Sequence, residues 1–315
     1  MSKKVLLSGV KPTGQCHIGN YFGAMKQFVD LSEEYDSYIF IADYHALNLI
    51  QNKEEMQKAI LGVLLDYLAI GLDSKKVCIF KQSDISEHTE LAWIFDTFTT
   101  MPYLQRAHAY KDALAKDKEI NVGTFNYPML MAADILLYDT DIVPVGQDQK
   151  QHVEYARDTA QKFNKIFGET FKLPEPMIMK DVATVPGLDG QKMSKSYGNT
   201  IPLFAEYDEI KKCVMKIVTD SGKDIPENVF AIHKLLRPEA ELKEIYESKK
   251  GKYKEMKELL IEDLEKFIAP MRERRKELEK DIPKVLMILK EGNQKTKKIA
   301  SAKMEEIREK IGINI

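Results

Sequence analysis

The sequence has little cysteine and no long apolar run. Its 315 residues include 3 cysteines, Cys16, Cys78 and Cys213, and this odd, widely spaced set offers no disulfide framework. No stretch approaches the roughly 20 consecutive apolar residues that a membrane-spanning helix needs. The apolar run that follows the first lysines is too short for a secretory signal. These absences predict a reduced, cytoplasmic protein without a membrane segment.

The chain also has no excess of charge of one sign. It carries 47 Lys+Arg against 49 Asp+Glu, a formal net charge of −2. Residues 240–315 hold 20 Lys+Arg against 16 Asp+Glu, a balance of +4, so the first 239 residues have 27 against 33, a balance of −6. This split permits contact between the C-terminal part and phosphates but does not require it.

Several catalytic and metal-binding motifs are missing. There is no C-x-x-C or H-E-x-x-H, and Cys16 and His17 are adjacent, so they cannot form a zinc pair. No G-x-S-x-G elbow supports a serine hydrolase, and the dinucleotide pattern G-x-G-x-x-G is absent. Gly14 and Gly19 have the spacing of a phosphate-binding P-loop, but Asn20 stands where its lysine should follow. We therefore expect neither a protein-bound metal nor a covalent nucleophile.

Apolar runs and helical spacing alternate regularly in the first two thirds of the chain. The predicted strands are 5–10, 38–42, 76–80 and 141–146, and the predicted helices are 18–31, 53–70, 87–100, 127–138 and one that starts near 148. This alternation predicts an α/β fold with a doubly wound, Rossmann-like parallel sheet in a domain of residues 1–205. After about residue 205 the strand signal disappears, so residues 206–315 are predicted to form an all-helical domain, with a last helix from about residue 293. Ligands bind beyond the carboxyl ends of such strands, where Gly9, His45 and Gly146 would lie.

Two of the strand ends carry polar residues with two interpretations each. His17 follows the first strand at the start of a helix, where it would either approach an anion or serve as a capping or surface histidine. Asp148 follows the fourth strand, where it would either border a ligand or simply cap the next helix. Gln149 beside it has amide donors and an acceptor that suit a zwitterion or a ribose.

The helix at 127–138 contains a lone carboxylate in apolar surroundings. Tyr127, Met131 and Asp134 share one helix face, at spacings of four and three. Asp134 would either point to solvent or line a pocket, because a buried carboxylate is costly unless a partner satisfies it. We favour a pocket for a flat apolar group that carries an N–H.

The stretch 191–199, Gln-Lys-Met-Ser-Lys-Ser-Tyr-Gly-Asn, holds two lysines and two serines in a turn-rich segment. Flanking glycine and proline predict an exposed, mobile loop. Two ammonium groups and two hydroxyls on such a loop suit a polyphosphate, although a solvated surface turn would have the same composition.

Together, Pro12-Thr-Gly-Gln-Cys-His17-Ile-Gly19-Asn20 and Lys192-Met-Ser-Lys195-Ser196 resemble the two signature sequences of class I aminoacyl-tRNA synthetases. Within that class, the segments 127–138 and 141–152 resemble those of the bacterial tryptophanyl-tRNA synthetases. The similarity covers nearly the whole chain and weakens after about residue 205. It departs from the usual pattern at Lys11, which replaces a common Gln, and at Gln147, which replaces a common Glu.

The resemblance implies a role for each matching residue. His17, Lys192 and Lys195 would be catalytic, with His17 near the phosphates of ATP and both lysines on the leaving pyrophosphate. ATP would also be bordered by Lys11, Pro12, Thr13, Gly19, Asn20, Gly146, Gln147, Asp148, Val185, Met193, Ser194 and Ser196. Tryptophan would contact Asp134 through its indole N–H, Tyr127 and Gln149 through its amino group, and Met131, Val143, His45 and Gly9.

The implied activity is ATP-dependent formation of tryptophanyl-adenylate and transfer of the tryptophanyl group to tRNA(Trp). ATP with Mg²⁺ would be the substrate, the helical domain would recognise the tRNA anticodon, and the enzyme would be a cytoplasmic homodimer. Three alternatives stay open at this point: a tyrosyl-tRNA synthetase, a small-molecule nucleotidyltransferase, and a non-catalytic paralogue that senses tryptophan.

Overall fold

The computed structural model describes residues 3–115, 119–146, 149–178, 185–219 and 224–314. In these ranges five strands form one sheet: β1 (Val5–Val10), β2 (Asp36–Ile41), β3 (Val77–Lys81), β4 (Ile142–Val145) and β5 (Glu175–Ile178). The helices of the sheet-bearing part are α1 (Ile18–Asn20, continued by a π-helical turn Tyr21–Met25 and by Lys26–Asp30), α2 (Asp43–Ala46), α3 (Lys53–Ala69), α4 (Glu87–Asp96), α5 (Met101–Leu104), α6 (His108–Ala115), α7 (Val122–Leu136) and α8 (Lys150–Phe167). The helices that follow are α9 (Tyr207–Met215), α10 (Glu227–His233), α11 (Glu239–Ser248), α12 (Tyr253–Glu279) and α13 (Ile282–Ile311). Short 3-10 turns occur at Leu31–Glu33, Gln82–Asp84 and Lys195–Tyr197.

The sheet is covered by helices on both faces. Along β2, Ile39 and Ile41 belong to one buried apolar cluster, while Tyr38 and Phe40 belong to a second cluster. Successive side chains of a strand point to opposite faces, so both faces of this strand are buried. The doubly wound parallel sheet predicted from the sequence is therefore confirmed.

The strand order is β3-β2-β1-β4-β5, and every neighbouring pair is parallel. From β1 the chain runs outward through β2 to β3 and then returns to the other side of β1 as β4. This reversal creates a crevice beyond the carboxyl ends of β1 and β4, which is where doubly wound sheets bind ligands.

Most predicted bounds shift by a few residues, and the short helices α2, α5 and α6 were not predicted; three further differences have a physical reason. Strand β5 was not predicted, because it is a short edge strand that contains Pro176, and proline is tolerated at a sheet edge. Helix α7 begins at Val122 rather than near residue 127, since the side chain of Asn121 caps it by accepting the N–H of Thr124 (2.7 Å). The last helix begins at Ile282 rather than near 293, with Asp281 as its N-cap.

Helix α13 packs back onto the sheet-bearing part of the chain. At Gly292 an added Cβ would lie only 1.8 Å from the carbonyl oxygen of Ile79, so the backbone of α13 contacts the backbone of β3 directly. The side chain of Asn293 accepts the N–H of Lys81 (2.8 Å), a hydrogen bond that occupies a donor on this edge strand. Helix α13 thereby covers the outer edge of β3.

Helix α12 also joins the C-terminal helices to the first part of the chain. Arg275 donates to the buried carboxylate of Asp66 (2.8 Å), and Arg272 donates to the carbonyl of Ala205 (2.6 Å). These contacts cross the predicted boundary between residues 205 and 206, and the two-domain division itself stays a prediction. Among the described residues, no helix has the length and apolar character needed to cross a bilayer.

Candidate active site

A cavity of about 280 Å³ lies at the crevice between β1 and β4. We call it the strand-end cavity; its lining residues are Leu7, Ser8, Gly9, Lys11, Ala24, Phe28, Phe40, Ala42, His45, Tyr127, Met131, Asp134, Ile135, Val143, Pro144, Val145, Gly146 and Gln149. The lining is largely apolar with a few polar groups, as in small-molecule sites, and its volume suits a ligand of amino-acid size.

The strand-end cavity gathers the residues that the resemblance assigned to an amino acid. They come from three different strand ends and one helix, and they are Gly9, His45, Tyr127, Met131, Asp134, Val143 and Gln149. Lys11 and Gly146, assigned to the nucleotide, also line the cavity. Sequence reasoning missed nine residues of the cavity wall: Leu7, Ser8, Ala24, Phe28, Phe40, Ala42, Ile135, Pro144 and Val145.

Asp134 is the deepest polar group of the cavity, with 1% of its surface exposed. Its Oδ2 accepts a hydrogen bond from His45 Nε2 (2.9 Å), and its Oδ1 accepts one from His88 Nδ1 (2.7 Å). The amide of Gln82 donates to both carboxylate oxygens, at 2.8 and 3.0 Å. The buried carboxylate is therefore satisfied by side chains, and the solvent-facing interpretation of Asp134 is wrong.

The hydrogen bonds to Asp134 also set its charge. Burial alone would raise the pKa of this carboxyl, but the hydrogen bonds donated by His45 and His88 outweigh it and lower the pKa to about 2. Asp134 is thus ionised at neutral pH and acts as an acceptor only.

Tyr127 and Lys11 meet near the opening of the cavity. The Lys11 ammonium lies 5.3 Å from the centre of the Tyr127 ring, and the Tyr127 hydroxyl lies 2.7 Å from His152 Nε2. Desolvation by the surrounding protein lowers the pKa of Lys11. The tyrosine hydroxyl is therefore held by a histidine that sequence reasoning did not assign to the site.

The turn at residues 11–20, the first signature turn, leads from β1 into α1. The backbone N–H of His17 donates to Asn20 Oδ1 (3.2 Å), so the side chain of Asn20 helps to fix the start of the helix. His17 itself is buried, and burial, followed by the nearby ammonium of Lys195, lowers its pKa to about 4. A neutral imidazole at pH 7 can donate one N–H to an anion, and the surface-histidine interpretation is wrong.

Residues 191–199, the second signature loop, are organised by one buried side chain. Asn199 accepts the N–H of Ser194 (2.8 Å) and donates to Asp189 Oδ1 (2.7 Å) and to the carbonyl of Lys192 (3.2 Å). Only 3% of Asn199 is exposed. This role was not predicted from the sequence, since asparagine near a glycine is typical of any turn.

The two signatures touch each other. Lys195 Nζ donates to the carbonyls of Thr13 (2.7 Å) and Gly14 (2.9 Å). At Gly19 an added Cβ would lie 2.9 Å from His17 Nδ1 and 3.3 Å from Met193 Cβ, so glycine allows the loop to approach the turn. An ammonium group held by backbone carbonyls can exchange them for phosphate oxygens when a polyphosphate enters.

The other residues that the resemblance assigned to the ATP site differ in burial and in their contacts. Lys192 is exposed, Ser194 and Ser196 bond to each other through their hydroxyls (2.9 Å), and Val185 is buried, where its carbonyl accepts the N–H of Met193 (2.9 Å). Pro12 is buried in the first signature turn. Gln147 and Asp148 lie outside the described residues. No group of three or more His, Cys, Asp or Glu side chains that could hold a metal ion occurs in the described parts of the chain.

This fold, with a His-x-Gly turn after β1 joined to a Lys-Met-Ser-Lys loop, defines a class I aminoacyl-tRNA synthetase. A family model described as "tRNA synthetases class I (W and Y)" matches residues 2–286. The chain belongs to this family, the class I tRNA synthetases for tryptophan and tyrosine.

Individual relatives agree with the family. The tryptophan--tRNA ligase of Fusobacterium nucleatum subsp. nucleatum is 48% identical, over 98% of this chain and 97% of the relative. The tryptophan--tRNA ligase of Rhodopirellula baltica is 45% identical, over 98% of this chain and 99% of the relative. The crystal structure of Campylobacter jejuni tryptophanyl-tRNA synthetase, complexed with ADP and tryptophan, has a TM-score of 0.90 at 44% identity, over 98% of this chain and 99% of that one.

Proposed function

We propose that this protein activates L-tryptophan with ATP and transfers the tryptophanyl group to tRNA(Trp). The observation that carries the proposal is the ionised carboxylate of Asp134 at the bottom of an apolar cavity, beside the two joined signatures. Relatives at 45–48% identity over nearly the whole chain are tryptophan--tRNA ligases, which favours tryptophan over tyrosine. The tyrosine-specific, nucleotidyltransferase and sensor alternatives have no comparable support.

The reaction needs no covalent enzyme intermediate. A carboxylate oxygen of tryptophan attacks the α-phosphorus of ATP, the bond from that phosphorus to the bridging oxygen breaks, and pyrophosphate leaves. A terminal ribose hydroxyl of the tRNA then attacks the carbonyl carbon of the adenylate, and AMP leaves. The protein contributes by aligning the reactants and by stabilising charge on the transferring phosphoryl group.

In the tryptophan site, Asp134 would accept the indole N–H. The apolar ring would lie between Met131 and Val143, with Gly9 and His45 at its edges. Tyr127 and Gln149 would hold the amino group at the mouth of the cavity. This division follows from the depth of Asp134 and from the position of Tyr127 beside Lys11 near the opening.

The ATP site would lie between the first signature turn and the second signature loop. Lys195 would leave the carbonyls of Thr13 and Gly14 for the leaving pyrophosphate, and exposed Lys192 would join it there. Neutral His17 would donate to a phosphate oxygen. The other nucleotide contacts are proposed at Lys11, Pro12, Thr13, Gly19, Asn20, Gly146, Gln147, Asp148, Val185, Met193, Ser194 and Ser196.

Mg²⁺ would enter as part of the substrate, bound to the phosphates of ATP. A cation carried by ATP needs no cluster of protein ligands, because the phosphate oxygens supply its hard oxygen ligands. It would offset negative charge on the phosphates while the lysines hold the leaving group.

Transfer to tRNA needs a surface beyond the catalytic site. We propose that residues 206–315, a helical domain with a charge balance of +4 over residues 240–315, recognise the anticodon. Helices α12 and α13 contact the first part of the chain directly. The tRNA-binding and catalytic parts would therefore be packed against each other and not joined only by a flexible linker.

We also propose that the protein is a homodimer that works in the cytoplasm. Large apolar side chains are exposed on α7 (Val122), on α5 and α6, which pack against it (Met101 and Leu114), and in the turn after α2 (Leu49). Such side chains suit a subunit interface. Sedimentation at micromolar concentration should give the mass of two chains, and a single-chain mass would contradict this part of the proposal.

The function is tested by charging purified tRNA. The protein, ATP, Mg²⁺ and labelled tryptophan should esterify tRNA(Trp) but not tRNA(Tyr). Charging of tRNA(Tyr) with tyrosine, or pyrophosphate release without any charging, would overturn the proposal.

A further inference from the structure

Asp134 is held from behind by side chains that do not line the cavity. His88 and Gln82 have 0% exposure and reach Asp134 from α4 and from the 3-10 turn after β3. His88 lies against the rings of Phe40 and Phe80, at centroid distances of 6.3 and 6.1 Å. An apolar side chain could fill the space of either residue, so what His88 and Gln82 contribute is their hydrogen bonds to Asp134.

The carboxylate of Asp134 has about four lone-pair positions. His88 takes one on Oδ1, His45 takes one on Oδ2, and the Gln82 amide reaches both oxygens with a single group. Four hydrogen bonds from three side chains therefore occupy all four positions, and of the three donors only His45 lines the strand-end cavity. A ligand N–H in the cavity can therefore reach Asp134 in the place of His45, while His88 and Gln82 keep their hydrogen bonds from behind.

The orientation of the Gln82 amide is fixed by the backbone. Its Oε1 accepts the N–H of Tyr44 (3.1 Å), so the NH₂ end must face Asp134. A flipped amide would set two acceptors against each other and leave the Tyr44 N–H unpaired. Gln82 is thus a donor to Asp134 with no competing arrangement.

The tautomer of His88 is fixed by Tyr138. The Tyr138 hydroxyl lies 2.8 Å from His88 Nε2, and burial raises the pKa of this phenol well above its usual value. The hydroxyl keeps its proton and donates to Nε2, so the imidazole proton sits on Nδ1, which faces Asp134.

We infer that His88 and Gln82 are positioning residues for substrate selection: they hold Asp134 from behind, so that only the position occupied by His45 faces the cavity, and Tyr138 sets the tautomer of His88. The inference rests on the proposed function, because it assigns this cavity-facing position to the indole N–H of tryptophan. A site built to pair a substrate N–H rejects analogues that lack it, and this rejection requires that the acceptor cannot rotate to another partner.

The experiment compares tryptophan with benzothienylalanine, in which sulfur replaces the indole N–H. The readout is the ratio of their kcat/KM values in ATP–pyrophosphate exchange, measured for the full chain. His88→Leu and Gln82→Met should each lower this selectivity ratio by about 10- to 100-fold, mainly through the KM for tryptophan, with the KM for ATP unchanged. His88→Asn keeps an N–H donor near the Nδ1 position and should stay within about threefold of the wild-type ratio.

A matched control exists in the C-terminal helices. His233 is equally buried and also links a tyrosine to an aspartate, with Tyr246 at 3.0 Å and Asp263 at 2.7 Å. His233→Leu should reduce stability but leave the selectivity ratio unchanged, because neither this histidine nor its partner Asp263 lines the cavity.

Each outcome decides the inference. It is overturned if folded His88→Leu and Gln82→Met keep the wild-type ratio, or if His233→Leu lowers the ratio as much as they do. If His88→Leu does not fold, Tyr138→Phe gives the same decision: a drop in the ratio supports the inference and an unchanged ratio overturns it. A wild-type protein without tryptophan-dependent exchange contradicts the proposed function itself, which separates the two failures.

Discussion

Asn199→Ala should weaken ATP binding indirectly, through the order of the second signature loop. The substitution removes three side-chain hydrogen bonds within residues 189–199, to Ser194, Asp189 and Lys192. At about 1 kcal/mol net for each bond, the loop loses about 3 kcal/mol of ordering free energy. If the ordered loop is the form that binds ATP, its population falls accordingly, and the apparent affinity for ATP drops by up to about 100-fold.

The assay is tryptophan-dependent ATP–pyrophosphate exchange over a range of ATP concentrations. The KM for ATP should rise by about 10- to 100-fold, the KM for tryptophan should stay within about threefold, and the Ser194 amide should lose protection from hydrogen exchange. The control is Asn164→Ala. Asn164 accepts the N–H groups of Thr170 and Phe171 (3.1 and 2.9 Å) and donates to the carbonyl of Phe171 (2.8 Å), a similar set of bonds in another loop. An unchanged KM for ATP in Asn199→Ala, or an equal rise in the control, would refute the reasoning.

Three further perturbations have defined outcomes. Lys195→Ala should lower kcat of exchange by about 10²–10³ with a much smaller change in the KM for ATP, and equal losses in both would contradict a role in the transition state. The pKa of Asp134 is about 2 in the folded protein against a reference value of 3.8, so its ionisation contributes about 2 kcal/mol to the free energy of unfolding. This contribution is fully present above about pH 4 and is lost as the pH falls toward 2. Asp134→Ala should therefore flatten this part of an acid-unfolding curve. Gly292→Ala should lower Tm, because its Cβ would overlap Ile79 and cost about 1–3 kcal/mol, whereas Gly62→Ala, in an open helix position, should leave Tm unchanged or raised.

The sequence was sufficient to predict strands β1 to β4 and the longer helices between them. Buried strands of a parallel sheet have continuous apolar runs, as in Val5–Val10 and Val77–Lys81. The edge strand Glu175–Ile178 lacks such a run because it is short and only partly buried. The path of the last helix over β3 depends on Gly292, whose close contact joins residues more than 200 positions apart and has no local pattern.

The candidate site was predictable where one segment carries the chemistry. The helix face of Tyr127, Met131 and Asp134 could be derived from spacing alone, and all three line the cavity. The donors that hold Asp134 could not be derived from spacing, because His88 and Gln82 lie about 50 positions away in the sequence and are brought to Asp134 by the fold. One signal did exist for the first of them: His88 shares an apolar helix face with Leu91 and Phe95, where a buried polar side chain needs a partner.

Amino-acid-dependent pyrophosphate exchange tests the central claim most directly. With wild-type protein, ATP and Mg²⁺, exchange should depend on tryptophan and not on tyrosine, and Asp134→Ala should lose the preference for tryptophan over benzothienylalanine while it retains the KM for ATP. Exchange that depends on tyrosine, or an Asp134→Ala protein that loses only ATP binding, would contradict the account.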